Sequence, residues 1–201
     1  MGALGLIGVW ALMLPQQIPG KPLVVANQSN GSPAFGLNQL VIALSMNPLR
    51  QVHFEEHFVS HVLTKPITKT GRLSYSPPSR FAKHIVTPLE ESFVVEEDTL
   101  YYENKSRGIS QALSLQDYPP LQALIEGLRS IFSGDLKKLQ RHYDTDLSGT
   151  AGQWVLTMVP HEEDTQQSVK FIRLKGMGNY MKEIEIHEPN GDFSTLLLKE
   201  S

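Results

Sequence analysis

From Gly71 onward the apolar residues recur at every second position in short runs, and turn signals separate the runs. Arg72 to Ser76, Arg80 to Val86, Ser92 to Glu96 and Thr99 to Tyr102 follow this rule, with Pro77-Pro78, Thr87-Pro88 and Glu97-Asp98 between them. A period of two puts alternate side chains on opposite faces of an extended chain, so the pattern predicts a meander of antiparallel strands. It returns after Gly149 in Gln153 to Val159, Val169 to Lys175, Met181 to Glu188 and Phe193 to Lys199. The last two flank Pro189-Asn190-Gly191-Asp192, the strongest hairpin signal in the chain.

Helical spacing interrupts the strands only briefly. Leu37, Leu40, Val41 and Leu44 predict a short amphipathic helix that ends before Pro48. Pro119-Pro120 opens a second helix with Leu121, Leu124, Ile125, Leu128, Ile131 and Phe132 on one face, and Gly134 closes it. Asp135 can cap a third, in which Leu136, Leu139 and Tyr143 recur. Roughly nine to eleven strands with about three helices are expected on these length rules. That is too few helices for a parallel α/β sheet, so the fold class is mainly β (α+β). A curved antiparallel sheet forming a half-open β-barrel, with the helices as a lid or plug, satisfies the pattern.

Composition narrows the functions. The absence of cysteine excludes thiol catalysis, thiolate metal sites and disulfides. A net charge of −3 removes a general electrostatic case for nucleic acid. Ala3 to Leu14 is an uncharged run too short to span a bilayer as a helix, and Val24-Val25-Ala26 suits a signal peptidase. Residues 1–26 therefore read as a secretory signal, although no Lys or Arg precedes the run. Its removal takes away Lys21 and no acid, which leaves residues 27–201 as a more acidic single domain.

One string suggests chemistry. His53-Phe54-Glu55-Glu56-His57 matches the H-x-x-E-H pattern of inverted zinc peptidases, and His61 continues the spacing of four. Zinc hydrolysis would need this segment to be a helix, with both imidazoles and a general-base Glu on one side and a third ligand elsewhere. A strand fits the same spacing, with Phe54, Phe58 and Val62 on one face and His53, Glu55, His57 and His61 on the other. The flanks favour the strand. Gly176-Met177-Gly178 lacks the third glycine and the βα context of a dinucleotide site, and Asn104-Lys105-Ser106 matches a glycosylation sequon. No cofactor is expected.

The stretch from Phe54 to Glu103 resembles the LolA/LolB-type family of outer-membrane lipoprotein carriers. The similarity lies in Phe54-Glu55-Glu56, Gly71-Arg72-Leu73-Ser74-Tyr75, Pro78, Arg80-Phe81-Ala82-Lys83-His84, Pro88 and the hairpin from Phe93 to Tyr102. A helical insertion, Trp154-Val155-Leu156-Thr157 before Pro160, and the closing hairpin at Asn190-Gly191-Asp192 continue it. The resemblance implies a non-enzymatic monomer that shields acyl chains of a lipoprotein or lipid, in the periplasm of a Gram-negative cell. An inner-membrane exporter and an outer-membrane acceptor are its implied partners. Large apolar side chains alternating along the strands are the expected cavity lining: Phe54, Phe58, Leu73, Tyr75, Phe81, Trp154, Leu156 and Met158. Leu124, Leu128 and Ile131 are the expected lid. Without a lipidated cysteine, the chain resembles the soluble LolA-like branch. The arginine that holds the lid in that branch is replaced by Pro77, with Arg80 and Lys83 as nearby substitutes, which implies a paralogue serving another cargo. N-terminal sequencing of exported protein should begin at or near Asn27; full-length protein retained in the cytoplasm would refute the leader.

Overall fold

The structure, a computed structural model, describes residues 35–199, so the leader assigned to residues 1–26 lies outside the described residues. The expected class is observed: the described residues form an antiparallel sheet of eleven strands that does not close, with four α-helices. Helix α1 (Leu37–Met46) buries Leu40, Val41 and Leu44, and the Gln39 side chain accepts the N–H of Gly36 at its start. Six strands follow as a meander: β1 (Val52–Val59), β2 (Ile67–Ser76), β3 (Arg80–Thr87), β4 (Glu91–Glu96), β5 (Thr99–Asn104) and β6 (Ile109–Ser114). Helices α2 (Pro119–Ser133) and α3 (Leu136–His142) come next. The second meander is β7 (Tyr143–Thr150), β8 (Gln153–Pro160), β9 (Phe171–Met177), β10 (Tyr180–His187) and β11 (Phe193–Lys199), with α4 (Glu163–Gln166) between β8 and β9.

Local chemistry sets the helix ends. Pro119 and Pro120 occupy the first turn of α2, where missing N–H groups cost nothing, and Gly134 ends it at φ 78°, a left-handed geometry that suits glycine. The Asp135 side chain accepts the N–H of Lys138 at 2.8 Å and starts α3. Tyr143, expected within that helix, is instead the buried first residue of β7.

The strand order is β6-β5-β4-β3-β2-β1-β11-β10-β9-β8-β7. Each meander is built from neighbours in sequence, and the two join where β1 pairs with β11. The chain leaves one edge strand, β6, and re-enters at the other, β7, through α2 and α3. The helical segment thus links the two edges. At Thr70/Gly71 the β2–β3 register shifts, and a Cβ on Gly71 would lie 1.9 Å from the His84 carbonyl oxygen, so the bulge requires glycine.

The β10–β11 hairpin is stitched to the end of β1 by Asp192. Its carboxylate accepts from the Ser60 hydroxyl at 2.8 Å and the His61 N–H at 3.0 Å, and lies 2.7 Å from His61 Nδ1. Burial pushes the Asp192 carboxyl up, but these bonds hold it below its usual range. Glu188, buried beside it, has only a hydrogen bond from the Asn190 side chain in its favour: burial and the Asp192 charge outweigh it and raise the carboxyl to about 7. The folded state then binds more protons than the unfolded one between the ordinary carboxylate range and about pH 7, so this group's contribution falls as pH rises through that window. Glu188→Gln should therefore raise the melting temperature by several degrees at about pH 8 and hardly at all at about pH 4. Equal effects at both pH values would refute the assignment.

Candidate functional site

One face of the sheet is apolar from edge to edge. Across the second half, the inward row runs Leu147, Leu156, Leu174, Ile184 and Leu196 through paired strands β7 to β11. Across the first half, Leu113, Leu100, Val95, Phe81 and Tyr75 pair in the same way from β6 to β2. The alternation in the sequence generates both rows, since inward positions two residues apart stay on one face.

The eight residues read as cavity lining stand on this face. Phe54, Leu73, Tyr75, Phe81, Trp154, Leu156 and Met158 are buried in one hydrophobic cluster, and Phe58 is half-buried beyond Phe54 on β1. The lid residues Leu124, Leu128 and Ile131 are buried in the same cluster. Phe132 adds to them, with its ring 5.2 Å from Tyr75 and 6.1 Å from Phe81. On the other half, Gly127 lets α2 approach closely: a Cβ there would lie 2.8 Å from the Tyr143 ring and 3.1 Å from the Met158 methyl. The Tyr143 hydroxyl beneath it is buried without a hydrogen-bond partner, and burial pushes its pKa well up. Trp154 is fixed more firmly. Its indole N–H donates to the Gly178 carbonyl at 3.0 Å, and its ring lies over Gly176, where a Cβ would come within 2.3 Å. The two glycines of Gly176-Met177-Gly178 thus serve Trp154 rather than a phosphate.

Three charged residues enter this apolar region. Arg129, on α2, donates from Nε (3.1 Å) and Nη2 (2.8 Å) to the Ser79 carbonyl, and from Nη2 to the Glu97 carbonyl. Its Nη1 meets Glu126 at 2.7 Å. Ser79 and Glu97 lie in the β2–β3 and β4–β5 turns, so one buried side chain ties the helix to two turns of the sheet. Neither candidate on β3 takes that place: Arg80 pairs with Glu96 at the surface, and the Lys83 ammonium meets Glu56 at 2.9 Å. Lys83 and Glu56 are only 3% and 2% exposed, and the ammonium stands 5.2 Å from the Phe54 ring centre. Burial pulls the Lys83 pKa down, with Glu56 opposing.

The zinc string is resolved by its backbone. His53 to His57 lies in strand β1, not a helix, so Glu56 points inward to Lys83 while His53, Glu55 and His57 face outward. His61 is engaged by Asp192. Among the described residues no three His, Asp or Glu side chains come together as ligands. Asn104 of the sequon is fully buried, donating to Glu91 at 2.9 Å and accepting from Ser106 at 2.8 Å, which excludes a glycan on this conformation.

The family described as outer membrane lipoprotein carrier protein, LolA-like, matches residues 31–201 and so spans both meanders and the helices between them. The chain belongs to this LolA-like family. Its members are periplasmic proteins that bind and carry rather than catalyse. No curated protein matches the chain significantly. Similar solved structures include a LolA superfamily protein from Nitrosomonas europaea, 12% identical, with a TM-score of 0.41, covering 82% of this chain and 90% of its own. MucB of Pseudomonas aeruginosa, solved with MucA, is 12% identical at a TM-score of 0.41; it covers 82% of this chain, which spans just over half (54%) of that one. LprF from Mycobacterium bovis is 11% identical at a TM-score of 0.34, covering 84% of this chain and 94% of its own.

Breaking the inner ion pair from one side should be costly. Lys83→Met leaves Glu56 buried without its cation and should lower stability by about 3–5 kcal/mol, whereas Lys83→Met with Glu56→Leu should recover most of that loss. Denaturant titrations of the three proteins give the comparison. A double variant as unstable as the single one would show that packing, not charge, holds this position.

Proposed function

We propose that the chain is a periplasmic carrier that shields acyl chains of a lipoprotein or lipid against the inner face of its sheet on the way to the outer membrane. The observation that carries this reading is the combination of an unclosed apolar face and a cover tied on by Arg129. A barrel that closed on itself would have no cover to lift. Here the cover is one continuous segment between the edge strands, and apart from apolar contact its named tie is a cluster of hydrogen bonds from one residue.

The physical need is plain. Each CH₂ exposed to water costs about 0.8 kcal/mol, so a common fatty chain costs on the order of 10 kcal/mol to expose, and crossing an aqueous compartment requires shielding. Phe54, Phe58, Leu73, Tyr75, Phe81, Trp154, Leu156 and Met158 are the proposed lining, with Leu124, Leu128 and Ile131 as the lid that the chain displaces. Met158 lies where the lid meets the floor, and its flexible thioether adapts to chains of different shape. Residues 27–201 are the proposed carrier domain after removal of the leader, acting as a monomer between an inner-membrane donor and an outer-membrane acceptor. The use of Arg129 on the helix, in place of an arginine at Pro77 on the sheet, supports a divergent member with its own cargo.

Trp154 provides the test, because the other tryptophan, Trp10, belongs to the leader. Delipidated protein titrated with a brominated long-chain fatty acid should lose Trp154 fluorescence saturably, since bromine quenches at contact. Arg129→Gln should change the affinity while leaving the quenched end point intact. A Trp154 that no acyl chain quenches would refute the inner face as the ligand site.

A further inference from the structure

The outer face of the same sheet carries a second, chemically different site. The bulge at Thr70/Gly71 opens a hollow of about 370 Å³ in that face, lined among others by His53, Glu55, Thr70, Arg72, Val86 and Lys199. Cross-strand register puts two basic side chains and two imidazoles in one row: His53 is opposite both Lys199 and Arg72, and Arg72 is opposite His84. All four are exposed.

The row is short of negative charge. Like charges placed directly opposite one another destabilise a sheet, and proteins ordinarily pair them with acids. On β9 and β10 that rule is kept, with Arg173 3.1 Å from Glu185 and Lys175 2.8 Å from Glu183. In the hollow the nearest acid, Glu55, is already held by Lys199 and His57, each at 3.0 Å. Arg72 has neither an ion pair nor a side-chain hydrogen bond to any described residue, and its neighbours on the outer side of β2 are the uncharged Thr70 and Ser74. A guanidinium without a partner among the described residues stands between His53 and His84, the latter holding Ser92 through Nδ1 at 3.0 Å, with the Glu55-paired Lys199 ammonium beyond, and the planar fork of Arg matches phosphate bidentately.

We propose that this hollow binds the phosphate group of a phosphate-bearing ligand, with Arg72 as the principal contact, His53 and Lys199 as supporting donors from the lining, and His84 at its border, opposite Arg72. The proposed donors are on the outer face and none of them belongs to the acyl lining; Phe54 is the one residue that borders both. The ligand is either a soluble phosphate ester or the head group of a lipid in a membrane surface.

The experiment uses ¹⁵N-labelled protein titrated with inorganic phosphate and with glycerol 3-phosphate at constant ionic strength. Saturable shifts of the His53, Arg72 and His84 signals are expected, weakened at least about ten-fold in Arg72→Gln by loss of the charge-assisted contacts. Arg80→Gln, an exposed control on β3, should bind as the parent does. Sedimentation with phosphatidylcholine vesicles, with and without phosphatidic acid, separates the two sources. Binding to the acidic vesicles that Arg72→Gln loses assigns the site to a lipid head group; saturation by glycerol 3-phosphate without vesicle binding assigns it to a soluble ester. Equal shifts with chloride, or undiminished phosphate affinity in Arg72→Gln, would overturn the proposal. Arg72 is exposed, so its replacement should leave the melting temperature unchanged, and that measurement guards against a folding artefact.

Discussion

An antiparallel sheet with one apolar face has to hide that face, and this sheet does not hide it by closing. Eleven strands run from β6 to β7 without those two edges meeting, although both edges belong to the same continuous chain. The only covalent path between them crosses the open side, and the segment that makes the crossing is helical and apolar on one face. Cover and connection are therefore the same piece of chain. The cover is topologically unable to leave, yet its contacts with the sheet are side-chain contacts and not ladder hydrogen bonds. Separation of α2 from the floor would break packing and the Arg129 bonds while leaving every strand pair intact.

The charges placed in this interior act on geometry more than on stability. A buried ion pair usually gains little over apolar residues of the same size, because desolvation offsets the attraction. Lys83 and Glu56 nevertheless fix something that apolar residues do not: they demand one alignment of β1 with β3 across the bulge at Gly71. Arg129 does the same for the helix. A leucine at that position could pack in several rotations of α2, whereas a guanidinium aimed at the carbonyls of Ser79 and Glu97 accepts one. Gly127 requires the same rotation independently, since only the side without a Cβ can face Tyr143 and Met158.

What could be read from the sequence divides along the same line. The eight runs with clear alternation, together with β1, whose spacing also suits a helix and which its flanks mark as a strand, are the interior of the sheet, where one face is buried and the period of two is enforced. The two strands that gave no such signal, β6 and β7, are its edges. Their side chains are mostly exposed, and Gln111 on β6 and Thr145 on β7 stand in phase with Leu113 and Leu147, where apolar residues would have marked the period. Tyr143 was drawn into a helix because its spacing from Leu136 and Leu139 suits one, and the sheet edge prevailed. Within the site, the apolar lining was legible because each residue lies in phase with its run. The ion pair was legible in principle by the same phase, since Glu56 stands between Phe54 and Phe58, and Lys83 between Phe81 and Ile85. Arg129 was not: its partners are backbone carbonyls in turns far away in sequence, and a carbonyl leaves no mark in a residue pattern.

The H-x-x-E-H string shows how completely the backbone period decides what a cluster of functional residues can do. On a helix, residues four apart and the glutamate between them would have shared one side and one task. On a strand the same five residues are divided between two environments. Glu56 goes inward and neutralises Lys83; Glu55 goes outward and holds Lys199 and His57; His53 stands on the outer face opposite Arg72. His61, past the end of the strand, is taken by Asp192. Glu55 and His57 meet each other, but among the described residues no third ligand joins them to hold a metal ion. The sheet thereby keeps its chemistry on separate sides: apolar shielding within, where water must be excluded, and charge recognition without, where an anion can arrive.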